Sequence, residues 1–137
     1  MATLAYTAPP RRATAFNDMI ERGLKLSPNG WSEARENILQ HSRAMVNVHQ
    51  LEGVNTIAPQ RFALCAAYKL PMISENIYDR GIFRHGSMLT SDYANLPEAA
   101  CQWILRNDAR FLDEFGCNLY YLLCEQHTFR KSVEAAI

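Results

Sequence analysis

Apolar and polar positions follow two alternating periods along this chain. Short apolar runs at Ala2–Tyr6, Leu24–Ser27, Ala44–His49, Pro71–Ser74 and Ser87–Thr90 read as strands, the last as an edge strand. Between them lie segments with helical spacing. Phe16, Met19 and Ile20 give an i, i+3, i+4 face to a helix over Arg11–Arg22, and Gly23 supplies its stop. Ser27-Pro28-Asn29-Gly30 is a turn, and Ser32 caps a helix over Glu33–His41 with Glu33 and Glu36 in its first turn. A helix over Pro59–Lys69 joins the runs at 44–49 and 71–74, and Asn76–Gly86 reads as a loop.

Past the fifth run the pattern is helical to the end. Asn95-Leu96-Pro97-Glu98 has the spacing of a capping box before a helix with Ala100, Trp103 and Ile104 on one face. Asp108 caps a helix striped by Leu112, Phe115, Leu119, Leu122 and Leu123, and Thr128 caps a last helix over Phe129–Ile137. This order predicts a single α/β domain over 1–137: a doubly wound parallel sheet of four to five strands flanked by helices, with C-terminal helices.

Composition narrows the partners. Fourteen basic residues balance fourteen acidic ones, so no overall field draws the chain to nucleic acid or to an anionic membrane. Its apolar runs fall short of the roughly 20 residues that span a bilayer. Arginines and prolines at 9–12 interrupt any signal-peptide core. Cys65, Cys101, Cys117 and Cys124 form no C-x-x-C pair and sit among Ala, Leu, Phe or Tyr, which predicts small buried thiols and a reducing, cytoplasmic setting. The histidines and cysteines have no zinc spacing, and no cofactor or metal is implied.

In parallel sheets ligands lie outside the carboxyl ends of the strands. His49, Glu52, Ser74 and Glu75 stand at that edge. Arg11 and Arg12 open the first helix, where free N–H groups and two guanidiniums suit a diphosphate. The same pair also fits a solvated surface turn, and Thr7-Ala8-Pro9-Pro10 replaces any glycine-rich phosphate loop. His49 fits a general base, a phosphate donor or a structural hydrogen-bonder. Asn47 shares its face, and an in-strand Asn needs a partner. Arg61, near the start of the third helix, suits phosphate or an ion pair with Glu52 or Glu75. Arg80, Arg84 and His85 give the following loop a basic character.

Five stretches, taken in order, resemble the C-terminal, donor-binding half of GT-B-fold glycosyltransferases, especially the spore-maturation-protein-like group: AYTAPPRR, NGWSEAREN, AMVNVHQ, IAPQRFALCAAYKLPMISEN and LCEQHTFRKSVEAAI. The resemblance implies a Rossmann-like domain that holds a nucleotide-sugar in a cleft against a second, acceptor-binding half. The residues read at the substrate are Arg11, Arg12, His49, Arg61, Ser74 and Glu75, and the catalytic residues stay unassigned. Two departures stand out. The helix acid that holds the donor ribose in that group falls on Ala58 or Leu64, depending on alignment, with Glu75 the available substitute. The chain also begins at the donor half, so sugar transfer is expected to need a separate acceptor-domain subunit rather than to occur in the chain alone. The alternatives are a non-catalytic nucleotide- or anion-binding module and a homodimer that keeps the fold alone. Phe115, Tyr120, Tyr121 and Phe129 offer an apolar surface for the latter.

Overall fold

The computed structural model describes residues 10–27, 33–51, 53, 59–78, 86–126 and 129–136. Its elements are α1 (Pro10–Glu21), α2 (Glu33–Gln40), β1 (Met45–Asn47), α3 (Pro59–Ala67), β2 (Met72–Glu75), β3 (Leu89–Ser91), α4 (Leu96–Cys101), α5 (Ala109–Tyr120) and α6 (Phe129–Ala136). Among the described residues the fold is therefore α/β, with six helices and a three-stranded parallel sheet in the order β1-β2-β3. Met45, Val46 and Asn47 stand opposite Met72, Ile73 and Ser74, and Ile73, Ser74 and Glu75 stand opposite Leu89, Thr90 and Ser91. Of the four to five expected strands, three form the sheet among the described residues. Ala2–Tyr6 lies outside the described residues, and Leu24–Ser27 makes a single bridge at Ser27 instead of a strand. Leu24 and Leu26 pack into the core there, so their alternation with polar residues reflects burial of an irregular segment.

Because side chains alternate across a strand, the sheet divides the core in two. Val46, Val48, Ile73 and Leu89 meet Phe16 and Met19 of α1 and Leu96 and Ala100 of α4. On the other side Met45 and Met72 meet Leu39 of α2, Phe62, Cys65 and Ala66 of α3, and Leu119 of α5. Both strands are buried on both faces, which is why they read as continuous apolar runs.

Helix ends carry the local logic. Gly23, at φ 100°, ends α1: its N–H donates to the Ile20 carbonyl while that of Leu24 donates to Met19. The same paired closure ends α3, with Lys69 at φ 52° in the left-handed position, Lys69 N–H on Ala66 and Leu70 N–H on Cys65. This turn lies under Gly116 of α5, where a Cβ would stand 2.0 Å from the Lys69 carbonyl oxygen. Asp108 caps α5 as expected, its carboxylate accepting from the Arg110 N–H.

The capping box at Asn95 does not form. Asn95 already has helical angles, and its side chain donates to the Asp92 carboxylate instead, because the turn from Asp92 runs straight into the helix through a Leu96 N–H bond to the Asp92 carbonyl. Both α4 and α5 widen into π-helical turns, at Gln102–Arg106 and Tyr121–Gln126, which hydrophobic spacing does not reveal. Among the described residues no helix is long and apolar enough to cross a membrane.

The four cysteines are free, and they are not uniformly buried. Burial pushes the Cys65 thiol up to about 12, and raises that of Cys101 as well, whereas Cys117 is exposed on α5. Only the thiolate reacts at an appreciable rate. Iodoacetamide at pH 8 is therefore expected to label Cys117 first and to leave Cys65 unmodified until the chain is denatured. Peptide mapping by mass spectrometry checks this, and labelling of Cys65 in the native chain would contradict the packing of α3.

Candidate functional site

Pro10 occupies the first position of α1, where its missing N–H costs nothing, and it sets Arg11 and Arg12 in the first helical turn. From there both side chains reach the carboxyl end of β1. Arg12 Nε donates to the Val48 carbonyl at 2.9 Å, and Arg11 Nη1 donates to the His49 carbonyl at 3.1 Å. Arg61, in the first turn of α3, arrives from the opposite face and donates through Nη1 to Asn47 Oδ1 at 2.6 Å. Three guanidiniums thus hold three consecutive residues, 47, 48 and 49. Arg11 and Arg12 satisfy backbone carbonyls just past the strand end that the ladder has left behind, and Arg61 satisfies a side-chain amide oxygen.

The end of β2 completes the cluster. Asn47 and Ser74 are register partners on one face, and Asn47 Nδ2 donates to Ser74 Oγ at 3.0 Å. Ser74 Oγ donates in turn to the Glu75 carbonyl at 2.7 Å. Ser74 is fully buried and both these bonds run inside the network, so it orients Asn47. Glu75 points to the other face, where its carboxylate accepts from both terminal nitrogens of Arg11, one at 2.6 Å, and from the His49 N–H at 3.0 Å. His49 Nε2 faces the Asn76 carbonyl at 2.9 Å; a carbonyl only accepts, so this nitrogen donates and the ring is fixed.

The six residues singled out by sequence therefore meet in one cluster at the carboxyl edge of the sheet. Tyr93 joins them. Its hydroxyl donates to the Arg11 carbonyl at 2.9 Å, and its ring centroid lies 3.9 Å from the Arg11 guanidinium carbon. Tyr93 follows the end of β3 by two residues, so the carboxyl-edge rule finds it once that strand is taken to end at Ser91 rather than Thr90. Glu52, Ala58, Arg80, Arg84 and His85 lie outside the described residues. Leu64, one of the two positions aligned with the missing acid, packs against the apolar core on the α3 side.

Burial and neighbouring charges act on the ionisable groups of the cluster. Burial lowers the Arg12 guanidinium from its ordinary value, and the nearby Arg61 charge lowers it further. Arg61 is lowered by burial too. Burial pushes the Glu75 carboxyl up, but the Arg11 hydrogen bonds, the bond from the His49 N–H and the electrostatic pull of its surroundings outweigh it and hold the group below its ordinary range. Glu75 is committed to Arg11. Among the described residues no carboxylate pairs with Arg61, whose one side-chain bond goes to Asn47. A part-buried guanidinium such as Arg61, with no carboxylate partner among the described residues, favours an anion.

A separate groove of about 450 Å³ lies at the amino ends of β1 and β2, with Gln40, Arg43, Tyr68, Lys69 and Asp113 along its walls. It shares no residue with the cluster. Compared with protein-family models, with curated proteins and with solved structures, the chain matches none.

Proposed function

We propose that the chain binds a phosphate-bearing ligand at the carboxyl edge of its sheet, and that this ligand is a nucleotide-sugar. The observation that carries the reading is Arg61: a part-buried guanidinium beside Arg12, with one hydrogen bond to Asn47 and no carboxylate partner among the described residues. Planar guanidiniums held over strand ends suit bidentate contact with phosphate oxygens. The narrower identity, a Rossmann-like donor half of a glycosyltransferase that needs a partner chain for sugar transfer, rests on the five resembling stretches and on their order.

Calorimetry with a UDP-sugar and a GDP-sugar tests it. Saturable binding of one of them is expected, with Arg61→Ala weakening it tenfold or more, about the scale of a charge-assisted hydrogen bond. Absence of saturable binding to either would end the reading. Turnover on addition of an acceptor-domain polypeptide separates the donor half of an enzyme from a binding module. The second reading, non-catalytic anion binding, is favoured by one feature. Glu75 is engaged by Arg11, His49 Nε2 by Asn76, and Ser74 is buried, so the acid, base and hydroxyl of the cluster are all occupied in holding its shape.

A further inference from the structure

Glu75 is an acid placed among arginines, and its geometry is that of a ligand. A carboxylate lying across the two terminal nitrogens of an arginine fills the same fork that two phosphate oxygens would fill. Arg11 is the outer member of the pair: its side chain is 17% exposed, against 6% for Glu75. An anion arriving from solvent therefore meets Arg11 before it meets Glu75. Tyr93 fixes the guanidinium independently, by its ring and by its bond to the Arg11 backbone, so Arg11 keeps its place when the carboxylate leaves. Glu75 in turn keeps the His49 N–H, which prevents its release from leaving a buried charge without any donor.

Resting on the phosphate-binding reading above, we infer that Glu75 is a resident anion. It occupies Arg11 until a ligand competes for that fork, and it thereby sets the affinity of the site. Arg61 attracts the incoming anion in this scheme, and Arg11 is the contact that must be won from Glu75. The device holds affinity down: a second negative charge stays beside the bound phosphate, and one guanidinium is shared.

Calorimetric titration of inorganic pyrophosphate at pH 7 into the unmodified chain, Glu75→Gln and Arg61→Ala tests this. Glu75→Gln is expected to bind about tenfold tighter than the unmodified chain, the scale of one charge-assisted hydrogen bond. Equal or weaker binding by a folded Glu75→Gln, with binding still weakened tenfold or more in Arg61→Ala, would overturn the resident anion and leave the phosphate site standing. No binding to any of the three would overturn both. Where Glu75→Gln does not fold, the side-chain carboxyl carbon signal of Glu75 in the unmodified chain decides by NMR. It is expected to move on saturation with pyrophosphate, and an unmoved signal would overturn the inference.

Discussion

Replacing Gly116 by alanine is expected to cost the chain about 3 kcal/mol, at the upper end of what overpacking a core costs. Helix propensity alone predicts the opposite sign, a gain of about 1 kcal/mol for Ala over Gly inside α5. The packing decides. A methyl at position 116 would lie 2.0 Å from the Lys69 carbonyl oxygen, 2.8 Å from its carbon and 3.3 Å from Pro71 Cδ. The turn it strikes is pinned by the two closing bonds of α3, with Lys69 left-handed and its ammonium 4.7 Å from the Tyr120 ring centroid. Relief must therefore come from α5, which would lift Leu119 away from Phe62 and Cys65. Urea denaturation of the two chains measures the effect. A midpoint that is unchanged or raised would show that α5 does not lie as close to the turn as described.

Glu75→Ala is expected to destabilise the chain by about 3 kcal/mol, the low end for breaking a buried ion pair, because Arg11 keeps some contact with water. The same substitution should alter the pH dependence of stability. The folded Glu75 carboxyl titrates below its ordinary value of 4.5, so the unfolded chain takes up the proton first. Its contribution is complete above that value and is lost as pH falls through the folded one. Urea midpoints between pH 7 and pH 3 should fall below about pH 4.5 in the unmodified chain. Glu75→Ala should start lower and fall less steeply over the same interval. Parallel curves would mean that Glu75 is not held ionised by its partners.

The βαβ unit around residues 44–75 is legible in the sequence because two strands buried on both faces leave unbroken apolar runs, with helical spacing between them. The same unit locates the candidate site, since residues following such runs must stand at the carboxyl edge. What the residues alone do not show is which contacts are made there. Arg61 has Asn47 as its partner rather than Glu75, because Glu75 is engaged by an arginine 64 positions away, while Glu52 lies outside the described residues. Asn47, costly in a strand, is resolved by its register with Ser74, a property of pairing that a single run does not carry. Leu24–Ser27 misleads for a related reason: leucines alternating with polar residues serve an irregular buried segment as well as a strand. The closeness of Gly116 to Lys69 belongs to tertiary packing and has no local signature at all.

The reach of Arg11 has a consequence in time. Its partners His49, Glu75 and Tyr93 lie 38, 64 and 82 residues further along the chain. Loops of that length are costly to close before other contacts reward them, so this corner is expected to assemble late, after the rate-limiting step of folding. A phosphate ligand bound there should then leave the refolding rate nearly untouched and lengthen the lifetime of the native state instead. Occupancy of the site would be visible in stopped-flow experiments as slower unfolding, whatever the bound molecule goes on to do.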